Sequence, residues 1–177
     1  FQFYQEHNHT LNWYSTRFWS SKVGVDTLAL QHEFKHQVAL RSGCIELLDY
    51  LKTNGYACWI ATNADCEGLK FKLEHTQIAD YFDVIISSES LGYAKESIEF
   101  WQKLHALHPF QEKSAYFIDD TETVLKGAEK FGIQNLITIA QPSSKGNIRT
   151  ESPYPILQDL TDLIVMLEQA EDLKKYA

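Results

Sequence analysis

The chain has 177 residues, 44% of them hydrophobic and 13% aromatic, which predicts one folded main domain and excludes a chain that is disordered throughout. A formal net charge of -8 argues against a nucleic-acid polymer or an anionic membrane surface as partner, because no cluster of Lys and Arg stands out. The longest apolar runs fall far short of the ~20 residues that span a bilayer, so we predict no transmembrane segment.

The first part of the chain has the spacing of α-helices. Residues 4–20 and 26–40 predict a helical pair, with Asp26 as the N-cap of the second helix. Ser42 is predicted to cap a third helix that ends at Gly55 and has an apolar face made of Ile45, Leu47, Leu48 and Leu51.

From residue 56 onward, strand patterns and helix patterns alternate. Strands are predicted at residues 56–62, 83–87, 115–119 and 135–139, and helices at 65–81, 96–108 and 122–131. Residues 141–155 are predicted to form a loop, and residues 157–174 a closing helix. Regular alternation of this kind predicts the α/β class, with a parallel sheet flanked by helices.

Two adjacent acids, Asp119 and Asp120, directly follow the buried strand pattern of residues 116–118. The carboxyl edge of a parallel sheet is where α/β proteins bind ligands, and two neighbouring carboxylates repel unless a cation compensates their charge. A hard divalent ion such as Mg²⁺ suits these oxygen ligands. The alternative is that one acid only caps the next helix, a role for which Thr121 is also available.

Two other predicted strand ends carry polar residues, Thr62 and Asn63 after the first strand and Lys95 after the second. A hydroxyl with nearby main-chain donors, an ammonium group and a metal-binding acid pair together can hold a phosphoryl group and stabilise its charge. Each signal alone has a simpler interpretation: Thr62 could cap the following helix, and Lys95 could be a solvated loop lysine.

The ordered set of Thr62, Lys95 and Asp119-Asp120 resembles the second, third and fourth motifs of the haloacid-dehalogenase (HAD) superfamily of phosphohydrolases. The segments HTLNWY, TNA, KLEHT, GYAKE and FIDDTE, between residues 9 and 122, are similar to bacterial purine 5'-nucleotidases that hydrolyse GMP and IMP. The resemblance implies a Rossmannoid parallel sheet with a small helical cap, at residues 1–41, on an α/β core, at residues 42–177.

The same resemblance implies the chemistry. An aspartate would attack the phosphoryl group, and water would hydrolyse the resulting aspartyl-phosphate, with Mg²⁺ shielding the charges. Asp120 would ligate the metal and Asp119 would help to position it. Lys95 would neutralise the phosphoryl oxygens, and Thr62 would donate to them with the main chain around Asn63. Trp13 or Tyr14, in the cap, would stack on the purine of a nucleoside monophosphate.

One motif of the superfamily is missing: the 177 residues contain no D-x-D-x-T or D-x-D-x-V segment, and Asp65 and Asp159 have different neighbours. In the superfamily that motif supplies the nucleophile and the acid/base, and its strand is central in the sheet. We therefore expect a chain truncated at its N-terminus that is inactive alone, with a separate N-terminal segment completing the sheet.

Two alternatives stay open at this point. The enzyme could act on another small phosphate ester, or the chain could be a truncated, non-catalytic homologue that binds a partner at the vacant sheet position.

The three cysteines, Cys44, Cys58 and Cys66, have no C-x-x-C spacing, which predicts reduced thiols and a cytoplasmic location.

Overall fold

The computed structural model of the chain describes residues 5–143 and 146–175, in which α-helices alternate with parallel strands. In chain order the elements are α1 (Leu11–Tyr14), α2 (Thr16–Val23), α3 (Thr27–Glu33), α4 (Cys44–Thr53), β1 (Trp59–Thr62), α5 (Cys66–Thr76), β2 (Val84–Ser87), α6 (Ser88–Leu91), α7 (Ile98–Leu107), β3 (Tyr116–Ile118), α8 (Glu122–Phe131), β4 (Asn135–Ile139), β5 (Ile156–Leu157) and α9 (Asp162–Lys175). The predicted α/β class is confirmed.

The chain divides into two compact units, each built from two separate stretches of sequence. Unit 1 takes the described residues of 1–39 and 59–111, and unit 2 takes those of 40–58 and 112–177. The predicted division into a cap at residues 1–41 and a core at residues 42–177 stays a prediction. Among the described helices, none combines the length and the hydropathy needed to cross a membrane.

In unit 1, β1 and β2 form a parallel pair in which Thr62 lies beside Ser87 at the carboxyl end. The helices α5 and α7 each contribute buried apolar side chains, and Phe100 and Trp101 of α7 are almost fully buried. Burial of two aromatic side chains on one short helix supplies several kcal/mol of apolar stabilisation, about 1.5–3 kcal/mol for each. Both helices therefore contribute to the apolar interior of unit 1.

In unit 2, β4 lies between β3 and β5, and both pairings are parallel. The core of this unit packs the sheet against α4 and α9 through Leu47, Ile137, Leu157, Leu163 and Leu167. Strand β4 is buried at its three middle residues, as expected for a strand that has neighbours on both sides. This packing fixes the carboxyl end of β3, which Asp119 follows.

Helix α4 begins differently from the prediction. Its N-cap is Gly43, which has a left-handed φ of 72°, and not Ser42. Ser42 instead hydrogen-bonds to Asp159, which holds the pKa of that carboxyl below its usual value. On the predicted apolar face, Leu47 and Leu48 are buried but Ile45 is 41% exposed. The predicted end at Gly55 is confirmed by its left-handed φ of 73°.

Several other predicted boundaries were wrong. The helix that Asp26 caps ends at Glu33, and a 3₁₀ turn at Lys35–Gln37 follows it. Helix α5 ends at Thr76 because the next residue, Gln77, has a left-handed φ of 56°. The closing helix begins at Asp162, since the two residues of β5 pair with β4 instead. The first predicted helix was placed from residue 4, which lies outside the described residues.

Candidate functional site

The first candidate group lies at the carboxyl end of β1 in unit 1. Thr62 is the last residue of the strand, and its Oγ1 accepts a hydrogen bond from the Ala64 N–H at 3.1 Å. The next helix is capped by Asp65, whose Oδ1 accepts from the Gly68 N–H at 2.9 Å. The interpretation of Thr62 as an N-cap is therefore wrong, and its hydroxyl instead shapes the turn that follows the strand.

Lys95 is held in a buried position by two hydrogen bonds to its main chain. Its N–H donates to Asn63 Oδ1 at 2.9 Å, and its carbonyl accepts from Trp101 Nε1 at 2.8 Å. Lys95 is only 7% exposed, so the interpretation of a solvated loop lysine is wrong. A buried lysine is unusual in a folded protein and indicates that the ammonium group has a specific role or partner.

Glu96, the residue after Lys95, accepts hydrogen bonds from three residues of unit 1. Its Oε1 lies 2.5 Å from the Tyr14 hydroxyl and 3.2 Å from His9 Nδ1, and its Oε2 lies 3.0 Å from Asn63 Nδ2. The Glu96 side chain is 12% exposed. We refer to these four residues, His9, Tyr14, Asn63 and Glu96, as the Glu96 network.

The helical segment α1–α2 has a second link to the end of β1. Asp65 Oδ2 accepts from both the main-chain N–H of Thr16, at 2.5 Å, and its hydroxyl, at 2.6 Å. Asp65 is buried, so these bonds to a carboxylate are of the stronger, charge-assisted kind. Trp13 lies in the same segment, where its ring meets that of Trp19 edge to face at 6.1 Å.

The second candidate group lies in unit 2, after β3. Asp119 Oδ1 accepts from the Thr121 N–H at 2.9 Å, and Asp120 Oδ1 accepts from the Thr121 hydroxyl at 3.1 Å. Helix α8 begins after Thr121 without a side-chain cap. Arg149 donates to the carbonyl of Asp120 at 3.0 Å and also to the hydroxyl of the fully buried Thr138. The acid pair therefore sits on a turn that its own side chains and one arginine stabilise.

The chemistry of this acid pair fits Mg²⁺. Magnesium prefers oxygen ligands, is commonly held by one or two carboxylates, and fills its other positions with water and substrate phosphate. Within the ranges 5–143 and 146–175, no group of three or more His, Cys, Asp or Glu side chains is placed to hold a metal ion.

Unit 1 brings together four of the residues that the sequence indicated: Thr62 and Asn63 are consecutive, Asn63 bonds to Lys95, and Tyr14 joins them through Glu96. Asp119 and Asp120 belong to unit 2. Trp13 lies next to Tyr14, but among the described contacts its bonds go to its own helical segment.

The sequence did not indicate Glu96 or Arg149 as site residues. Glu96 was expected at the start of a helix, where an acid favours the dipole, but α7 begins at Ile98 with Ser97 as its N-cap. Its position directly after Lys95, as an acid beside a base, was the available signal. Arg149, in a loop rich in Ser, Gly and Pro, gave no pattern that distinguished it from a solvated residue.

Comparison with known proteins gives a family and a fold. The family model of the haloacid dehalogenase-like hydrolases matches residues 8–138. The GMP/IMP nucleotidase YrfG of Escherichia coli (strain K12) is 33% identical over 166 residues, which cover 94% of this chain and 75% of that protein.

Solved structures agree at the level of the fold. A HAD phosphatase from Thermococcus onnurineus superposes with a TM-score of 0.78 at 20% identity, over 94% of this chain and 76% of that one. The HAD-hydrolase YfnB from Bacillus subtilis, solved bound to magnesium, superposes with a TM-score of 0.58 at 24% identity, over 71% of this chain and 54% of that one.

Proposed function

Because the chain belongs to the haloacid dehalogenase-like hydrolases, we propose that it carries the phosphate-binding and metal-binding groups of a phosphatase that acts on purine nucleoside monophosphates. The substrate class is supported by the 33% identity to a protein named as a GMP/IMP nucleotidase. A nucleoside monophosphate also agrees with the acidic chain, because a buried lysine can make its own surroundings locally positive.

The observation that carries this proposal is the fixed, buried position of Lys95 beside the turn after β1. Asn63 and Trp101 hold the main chain of Lys95 from both sides, so the backbone from which the ammonium group extends is fixed beside the turn after β1. Lys95 would neutralise phosphoryl oxygens, and the hydroxyl of Thr62 with the main-chain N–H of Asn63 would donate to them. Groups fixed in advance stabilise charge that develops in the transition state.

The proposed reaction needs a nucleophile from outside these 177 residues, because they contain no D-x-D-x-T or D-x-D-x-V segment. In the proposed reaction a carboxylate oxygen of the first aspartate of that motif attacks phosphorus, and the bond between phosphorus and the nucleoside oxygen breaks. The second aspartate of the motif protonates the departing alkoxide. Water then hydrolyses the aspartyl-phosphate to free phosphate and regenerates the carboxylate. We propose that the 177-residue chain alone does not turn over substrate.

Asp120, assisted by Asp119, would hold Mg²⁺, which supplies charge neutralisation to the reacting phosphate when it is bound. The role of the protein in this arrangement is to keep two carboxylates together. Thr121 bonds to both side chains, and Arg149 bonds to the carbonyl of Asp120, so the turn is fixed before any ligand arrives. In the described residues these contacts are all within unit 2.

We further propose that residues 1–41 act as the cap and that Trp13 or Tyr14 contacts the base. Both side chains are only partly buried in the segment that the Glu96 network joins to Asn63. Aromatic faces stack on purines with little entropy cost.

The cysteines are thiols and form no disulfide in the described residues, and a cytoplasmic location stays a prediction.

A substrate panel tests the proposal. The complete product of the gene that encodes this chain is assayed for phosphate release from GMP, IMP, other nucleoside monophosphates and sugar phosphates, with and without Mg²⁺. We expect release from GMP and IMP that requires Mg²⁺, and we expect Asp120→Ala to lower its rate by at least about 10².

Two outcomes of the panel would contradict the proposal. A clear preference for a sugar phosphate would show that the substrate is a phosphate ester other than a purine nucleotide. Absence of phosphate release from every compound, in a protein shown to be folded, would favour the non-catalytic homologue.

A further inference from the structure

The three partners of Glu96 all have to donate, which fixes the chemistry of the network. The Lys95 N–H can only donate, so the Asn63 atom that faces it is Oδ1, and the amide nitrogen Nδ2 then faces Glu96. The Tyr14 hydroxyl and the Nδ1–H of His9 donate to the other carboxylate oxygen. An ionised carboxylate can accept hydrogen bonds at both oxygens. A neutral amide at the same position would place its own NH₂ donor against one of these donating groups.

The network joins two parts of unit 1 that are far apart in the sequence. On one side stand His9 and Tyr14, in and before α1, and on the other stand Asn63 and the main chain of Lys95. Tyr14 is the last residue of α1, and the parallel link from Thr16 to Asp65 begins only two residues later. Displacement of Glu96 would therefore disturb both the junction of α1 with α2 and the loop before α7.

We propose that Glu96 is a positioning residue, which couples the segment that carries Trp13 and Tyr14 to the loop that carries Lys95 and thereby tunes selectivity for nucleotides over small phosphate esters. This rests on the proposed function, in which Tyr14 lies on the base side and Lys95 on the phosphate side. Glu96 does not itself touch substrate. It acts through Asn63, whose amide it orients, and through the hydroxyl of Tyr14.

The first test measures hydrogen exchange and needs no substrate. Glu96→Gln keeps the shape of the side chain but removes one acceptor, so the Lys95 amide and the amides of residues 11–23 should exchange faster, by about 10-fold or more. Tyr14→Phe, which removes one bond of the network, should accelerate residues 11–23 and, by a smaller factor, the Lys95 amide. The matched control is Glu99→Gln, because Glu99 is an exposed acid whose described side-chain bond is to Ser97.

Unchanged exchange at Lys95 and at residues 11–23 in Glu96→Gln would overturn the proposal, whatever the enzyme does. Should Glu96→Gln fail to fold, Tyr14→Phe decides instead. In that case faster exchange at the Lys95 amide as well as at residues 11–23 supports the coupling, and wild-type exchange at Lys95 rejects it.

The second test separates positioning from general loss of structure. With the complete gene product, kcat/KM is measured for GMP and for p-nitrophenyl phosphate, a small ester without a base. We expect Glu96→Gln and Tyr14→Phe each to lower the ratio of GMP to p-nitrophenyl phosphate by about 10-fold, and the double variant to lose little more, since coupled residues are not additive. Equal losses on both substrates would indicate a merely structural role and reject the selectivity.

The two tests also distinguish this proposal from the proposed function. If the wild-type gene product hydrolyses p-nitrophenyl phosphate but no nucleotide, the assignment of a purine substrate fails. Hydrogen exchange in Glu96→Gln then decides by itself whether Glu96 couples the two segments.

Discussion

Asn63 is the residue on which the arrangement at the end of β1 depends. Its side chain has one acceptor and one donor end, and the two ends bond to different groups, the Lys95 N–H and the Glu96 carboxylate. Asn63 is buried, so an unsatisfied end would cost about 1–3 kcal/mol. Position 63 therefore needs an acceptor toward the Lys95 N–H and a donor toward the Glu96 carboxylate. An amide side chain supplies both, whereas a carboxylate supplies no donor.

Substitution Asn63→Asp tests this orientation. The change places a carboxylate against Glu96, so the pKa of one of the two acids rises in the folded protein and the variant loses about 1–3 kcal/mol of stability at pH about 8. The loss should diminish as pH falls toward about 4, where both states bind the proton. Urea unfolding at several pH values measures the difference from wild type.

The control for this variant is Gln102→Glu, the same change from amide to acid at an exposed position of α7. It should shift stability by less than about 0.5 kcal/mol. A cost for Asn63→Asp that is the same at every pH would contradict the facing of Asn63 and Glu96.

At the residue scale the sequence indicated the candidate residues better than their bonds. Thr62, Asn63 and Lys95 could be selected because they follow predicted strands, and strand ends are readable from apolar runs. The bonds of Glu96 could not be predicted, because His9 and Tyr14 are more than 80 residues away from it in the chain. Contacts at that separation depend on the packing of whole helices.

At the scale of elements, the predicted bounds of helices and strands were right where a clear turn residue or apolar run marks the end of the element. The bounds of α8 and β4 were predicted correctly, because Gly132 ends the helix and an apolar run defines the strand. The start of α4 was wrong, since a serine in an N-cap position competes with a glycine whose backbone is left-handed. Strand β5 has only two residues, too few for a period-2 pattern, and it forms because β4 offers an open edge.

The two glycines that flank α4 give a matched stability test. Both Gly43 and Gly55 have positive φ, so Ala at either position should cost about 1–2 kcal/mol in backbone strain. A Cβ at Gly43 would also overlap the side chain of Asp159 and lie 2.8 Å from Thr161 Cγ2, whereas a Cβ at Gly55 meets nothing within 4 Å.

We expect Gly43→Ala to lower the free energy of unfolding by about 1 kcal/mol or more beyond Gly55→Ala. Urea denaturation of the two variants beside wild type measures this. Equal costs would show that the loop at Asp159 moves away freely, and would contradict the close packing of the start of α4 in unit 2.

For the molecule as a whole, the chain order conceals which segments pack together. Residues 59–111 share a compact unit with residues 5–39, and residues 40–58 share one with the described residues of 112–177. In unit 1 this grouping depends on polar bonds such as those of Thr16 to Asp65, and in unit 2 on the apolar core between α4, β4 and α9. Sequence periodicity describes single elements, so it predicted the α/β class. It did not predict that each compact unit is built from two separate stretches of the chain.

The central claim is that Lys95 stabilises a transferring phosphoryl group, and its direct test is the rate of phosphate release from GMP by the complete gene product with Mg²⁺. We predict that Lys95→Ala lowers kcat/KM by at least about 10², the loss typical for removal of a preorganised charge-stabilising group. Lys72→Ala, at an exposed lysine of α5, should keep the wild-type rate. A folded Lys95→Ala protein that turns over GMP as fast as wild type would contradict the claim.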